Sequence, residues 1–246
     1  MKTLISNSKY LPVLFALLFI QCHVPPNAVM KLTADSPETN WYKGKQILTI
    51  ENEIVSIQLS FDRTSSDNYL FDVDVLNTSD STLLVDPQKF YYSLIDPKSR
   101  KNLVIVNARD PEATILDLQK KYALNQSRVE SEKMSYAFGY FLNAVGQTAA
   151  LVKGDREASE NFDQNYQDLE REEFLDDVRN QKVAESLEST SYIWEILALR
   201  KTTLRKNESI NGIVFFPVNK DAKTLEFFFP VGSSTLKIDF NQERIL

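Results

Sequence analysis

The chain has 246 residues, 43% apolar and 25% charged, with 34 Asp and Glu against 28 Lys and Arg. These are the proportions of a folded protein, and an acidic one has no clustered cations to displace counterions from nucleic acid, which is excluded as a partner. A single histidine, His23, and a single cysteine, Cys22, cannot assemble a Ser-His-Asp or Cys-His nucleophile or a His/Cys zinc site. The six glycines form no phosphate-cradling loop, so no catalytic residue, metal ligand or cofactor is expected.

The N-terminus carries Lys2 and Lys9, then an uncharged apolar run from Leu11 to Ile20, then Gln21 and Cys22. A basic n-region and a short h-region make a secretory signal over residues 1–21, and ten residues fall short of the roughly 20 that cross a hydrocarbon core. A cysteine at the cut point resembles the lipobox of bacterial lipoproteins, in a relaxed form with Phe19 and Gln21 ahead of it. The resemblance implies that Cys22 is the lipidation site: its sulfur takes a diacylglycerol and it becomes the acylated first residue. The implied location is the cell envelope, the outer membrane rather than the inner because His23 is not the retaining Asp, with membrane lipid as a partner through Cys22. Loss of residues 1–21 removes two lysines and no acid, leaving 26 cations against 34 acids.

Residues 22–45 contain Pro25, Pro26 and Pro37 among polar residues and read as a tether holding the folded part off the membrane. From Gln46 the period becomes two. Val55, Ile57, Leu59 and Phe61 alternate with polar neighbours, and Tyr69, Phe71, Val73 and Val75 alternate with Leu70, Asp72, Asp74 and Leu76. Further strands fit Phe90 to Leu94 and Leu103 to Val106, around a turn at Asp96 to Ser99.

Asp110-Pro111-Glu112 is a helix start, with an N-cap acid and proline at the first helical position. A first short helix carries Ile115, Leu118 and Tyr122, and a second spans Ser127 to Lys153 with Gly154 as its stop. From Met134 to Val152 there is no charge in nineteen residues. Such a helix is read as the buried centre of the insertion, the alternative being a partner-docking or membrane-dipping face. Gly139 and Gly146 share one side and admit a close neighbour. A third helix runs from Arg156 to Arg179 and a fourth from Val183 to Leu199. Between Asp155 and Asn180 lie ten acids and three arginines, read as a solvated face rather than a cation site.

After Asn207 strands return at Gly212 to Pro217, Leu225 to Phe229 and Leu236 to Phe240. Three strands cannot close a core alone, so they complete the earlier set. The expected fold class is α+β: an antiparallel immunoglobulin-like β-sandwich over residues 46–109 and 203–246, interrupted by a helical insertion over 110–202. The strand Phe71 to Asn77, with Thr203-Leu204 followed by Glu208 to Pro217, resembles immunoglobulin-like domains of unknown function in bacterial lipoproteins. The resemblance implies a sandwich and supplies no active site. The function expected is a lipid-anchored, non-catalytic binding or assembly module, with an envelope protein as partner through the insertion. The alternatives are a carboxylate-dependent hydrolase or carbohydrate-acting enzyme using Asp72 and Asp74, or a ligand-binding lipoprotein with an aromatic pocket.

Overall fold

The computed structural model describes residues 29–36, 39–65, 67–95 and 102–245, so Cys22, His23 and the expected turn at 96–99 lie outside the described residues. Twelve strands and two long helices make an α+β chain with antiparallel sheets among the described residues.

Strand β5 (Asn68–Asn77) is the centre of the architecture. Its alternation buries Tyr69, Phe71, Val73 and Val75 on one side, as period two requires. It pairs with β4 (Val55–Ser65) and β10 (Ser209–Pro217), and β3 (Lys45–Glu51) and β2 (Thr39–Tyr42) extend the sheet in the order β10-β5-β4-β3-β2. A second sheet runs β1-β12-β11-β7-β8, built from Val29–Ala34, Ser234–Ile245, Thr224–Val231, Tyr91–Ile95 and Asn102–Asn107. A short pair, β6 (Leu83–Val85) with β9 (Thr202–Leu204), stands beside them.

Both sheets feed one core. Phe71 of β5 meets Phe227 of β11 at 4.8 Å and Phe240 of β12 at 5.2 Å between ring centroids, and Phe216 of β10 meets Phe227 at 5.0 Å. These are edge-to-face and tilted arrangements, the favourable ones for aromatic pairs. Tyr69 and Tyr92 are buried with their hydroxyls satisfied by the carbonyls of Asn219 and Pro217, and burial pushes the Tyr92 phenol up to about 12.

Two expectations change here. Residues 29–34 and 39–42, placed in the tether, are strands. Met30, Leu32 and Ala34 alternate inward and β1 pairs along β12 from Ile245 to Phe240, so apolar burial outweighs the local proline signal. The four expected helices are two: α1 (Pro111–Lys153) and α2 (Arg156–Tyr192), the latter running into a π-helical turn at Ile193–Leu197. Neither Tyr122 to Ser127 nor Asn180 to Val183 contains a breaker, and i→i+4 hydrogen bonding continues through both. The termini are as read: the Asp110 side chain accepts from the Glu112 amide, and Gly154 ends α1 at φ 71°.

The hairpin is seated on the outer face of the β5–β10 sheet by its base. Ile115 and Leu118 of α1 and Trp194 of the π turn cover Leu70 of β5 and Phe215 of β10, and the Trp194 and Phe215 rings lie 4.1 Å apart. Leu70, on the face of β5 opposite Phe71, therefore owes its burial to the helices. An Arg200–Glu112 ion pair closes the base, and the Arg200 guanidinium holds the Glu112 carboxyl below its usual range.

Along the hairpin the two expected small positions meet α2. A methyl at Gly139 would sit 3.4 Å from Leu169, in ordinary contact, whereas one at Gly146 would overlap the Phe162 ring. Gly139→Ala is therefore expected to stabilise by up to about 1 kcal/mol through helix propensity. Gly146→Ala is expected to destabilise by about 1 kcal/mol as overpacking exceeds that gain. Thermal melts followed by circular dichroism at 222 nm check the opposite signs.

Candidate functional site

The two faces of α1 are inverted relative to an ordinary amphipathic helix. Its inner face, against α2, is largely polar. Arg128 donates to Asn180 at 2.7 Å, Asn180 donates to Glu132 at 2.9 Å, and Asn143 donates to the Phe162 carbonyl at 2.9 Å. The Tyr136 hydroxyl donates to Asp176 at 2.7 Å and the Tyr140 hydroxyl to Glu173 at 2.6 Å. Those carboxylates hold both phenols neutral, pushing Tyr136 up to about 12 and raising Tyr140 as well.

The outer face is apolar and open. Met134 is 73% exposed, Phe138 61%, Phe141 62% and Val152 83%, with Val145 also exposed. At 100° per residue Phe141 is turned by about 200° from Gly139, so this stripe points directly away from α2. Phe141, Ala144, Val145, Thr148 and Val152 flank a shallow depression of about 540 Å³. The expectation that Met134 to Val152 is buried is thus overturned. The nineteen uncharged residues cover only a polar seam on one side, because no element lies against the other among the described residues.

The acids of α2 form the expected solvated face, with two exceptions. Glu173 and Asp176 turn inward to the tyrosines, and Asp176, Asp168 and Glu160 pair with Arg179, Arg171 and Arg156 on their own helix. Among the described residues no group of three His, Cys, Asp or Glu side chains is placed to hold a metal. Beyond the helices, Lys201 pairs with Asp86 and Lys206 with Asp80.

Asp72 and Asp74 do share the outer face of β5, as strand alternation dictates, and line a groove of about 410 Å³ with Ser60, Gln58 and Asn211, walled by Ile196. The cross-strand row Gln58–Asp74–Asn211 sets the second carboxylate between two carboxamides. Asp72 is committed elsewhere: Lys45 Nζ lies 2.8 Å from it and 2.6 Å from Asp62, and both hydrogen bonds raise the lysine pKa. No residue of the acidic stretch 155–180 lines this groove, so the structure does not bring the two sets of carboxylates together.

The outward apolar stripe has a signal in the sequence: Met134, Phe138, Phe141, Val145, Thr148 and Val152 are spaced by alternating fours and threes. That spacing marks one face of a helix, and the residues on the opposite face are glycine, asparagine and tyrosine. Compared with known proteins, the chain matches no protein-family model, no curated protein and no solved structure.

Proposed function

We propose that this chain is a lipid-anchored cell-envelope protein, acylated at Cys22 and held at the outer membrane. Its two sheets are an immunoglobulin-like sandwich and the helical hairpin is an insertion in it. The protein acts as a non-catalytic binding or assembly module, and the hairpin carries the contact with an envelope protein partner.

One observation carries this reading: a helix with no charge over nineteen residues presents its apolar side to solvent. Large exposed apolar patches mark interaction surfaces, since each Å² left wet forgoes roughly 25 cal/mol. The hairpin packs on the sheet through its base, and the exposed stripe lies further along it, from Met134 to Val152. No helix among the described residues is long and apolar enough to cross a membrane, and the acidic α2 alongside is the opposite of the cationic polar face of interfacial helices. These two facts favour a protein over a bilayer as the occupant. The groove at Asp74 gives the hydrolase alternative a location, but acid–base hydrolysis uses two carboxyls and the Lys45 pair engages Asp72.

The test is cross-linking in the native envelope. Phe141→Glu with Val145→Glu is expected to reduce cross-linked protein adducts at least tenfold at unchanged abundance, and Cys22→Ser to abolish acylation and release the chain from membranes. Adducts that persist undiminished in the double variant would remove the hairpin as the docking surface.

A further inference from the structure

Resting on that docking surface, we infer that its occupant is a second copy of this chain, paired antiparallel through the outer face of α1. The stripe Met134, Phe138, Phe141, Val145, Thr148 and Val152 is spaced 4, 3, 4, 3 and 4, one continuous helix face whose ridges and gaps suit the side chains of a second helix. A helix is the element whose side chains interdigitate with such a row along its whole length. It must also be uncharged along its contact face, because a buried unpaired charge is costly, and this chain itself carries such a helix.

Side-chain size decides the direction. The stripe begins with Met134, Phe138 and Phe141 and ends with Val145, Thr148 and Val152, so it is thick at one end and thin at the other. Antiparallel pairing about a two-fold axis midway between Phe141 and Val145 sets Met134 opposite Val152, Phe138 opposite Thr148 and Phe141 opposite Val145. Every large residue meets a small one, as an even interhelical spacing requires. Parallel pairing would stack Phe138 and Phe141 on their own copies and leave Val152 facing Val152 across a gap.

Area and charge agree with this occupant. The exposed side chains of the stripe and its flanks offer on the order of 700 Å² per subunit, close to the roughly 800 Å² per partner of a stable interface. Because the stripe faces away from α2, the helices would lie in the order α2–α1–α1–α2. The two acidic helices then stand about 25–30 Å apart, three interhelical spacings, well beyond the roughly 8 Å over which charge acts at physiological ionic strength. From Pro111 to Phe141 is about 45 Å of helix, so the two sheet bodies sit at opposite ends and do not collide.

The experiment uses the full chain bearing Cys22→Ser, which removes both acylation and the single native thiol. Sedimentation at tens of micromolar is expected to give twice the chain mass, and Phe141→Glu, at an exposed position, to halve it with the helical signal unchanged. Differently tagged Met134→Cys and Val152→Cys chains, mixed and mildly oxidised, are expected to cross-link to each other while neither cross-links to itself. A monomer, or self-cross-linking of Met134→Cys alone, overturns the pairing. So does a monomer that instead co-sediments with phosphatidylcholine vesicles. A monomer whose envelope adducts still depend on Phe141 and Val145 overturns self-pairing but leaves the docking surface standing, whereas a monomer without such adducts removes both.

Discussion

Phe71→Ala is expected to lower stability by about 3–5 kcal/mol, the range for emptying an aromatic site in a packed core. Phe71 is fully buried, and its ring lies 4.8 Å from Phe227, 5.2 Å from Phe240, 5.6 Å from Phe61 and 5.8 Å from Phe216. Two of those rings belong to its own sheet and two to the other, so truncation opens a void where the sheets meet. Each lost ring pair adds to the transfer cost, and the walls cannot collapse inward because backbone ladders hold them on both sides. Such a loss is a large share of the 5–15 kcal/mol of a typical domain, so the variant is expected to unfold at a much lower urea concentration. Asp72→Asn is the control one residue along. It removes a partly exposed ion pair, worth at most about 1 kcal/mol, and its urea midpoint is expected to stay near that of the parent. The contrast between neighbours measures the strand's period of two directly.

Gly212→Ala is expected to cost about 3 kcal/mol, the upper part of the overpacking range, and to loosen the hairpin from the sheet. A Cβ at Gly212 would stand 2.6 Å from the backbone nitrogen of Leu199 and 2.7 Å from its Cα. These atoms belong to the segment that returns from the π turn and bridges β10 in parallel at Ala198 and Ile213. The Leu199 amide donates to the Ile213 carbonyl at 2.9 Å, and its side chain is fully buried. No rotamer change relieves a clash with backbone, so the segment must lift and take with it the packing of Trp194 on Phe215. Urea unfolding reads the stability. Limited proteolysis is expected to show new cleavage between Ile193 and Arg200, and retention of parental resistance there would rule out the proposed close approach.

Several features of this molecule are local and therefore legible in the chain. The inward set of β5, the N-cap at Asp110, the stop at Gly154 and the shared face of Gly139 and Gly146 follow from side-chain chemistry within a few residues. The joining of the expected helices was legible too, since no glycine or proline interrupts Tyr122 to Ser127. Residues 29–34 read locally as tether because three prolines surround a short alternation at Met30, Leu32 and Ala34, whose partner strand lies some 200 residues away. The same limit applies to Asp72 and Asp74. Their common face is a property of the strand, but the Lys45 pair and the Ile196 wall come from other elements.

What the sequence alone determined is which residues share a face: the aromatic core side of each strand, and the fours-and-threes stripe from Met134 to Val152. Only the tertiary structure decided which of those faces is covered. Periodicity is set by backbone geometry within a turn or a pleat, whereas coverage depends on the element packed alongside. For α1 that element is α2, which takes the polar seam through Tyr136, Tyr140 and Asn143 and leaves the apolar side facing out.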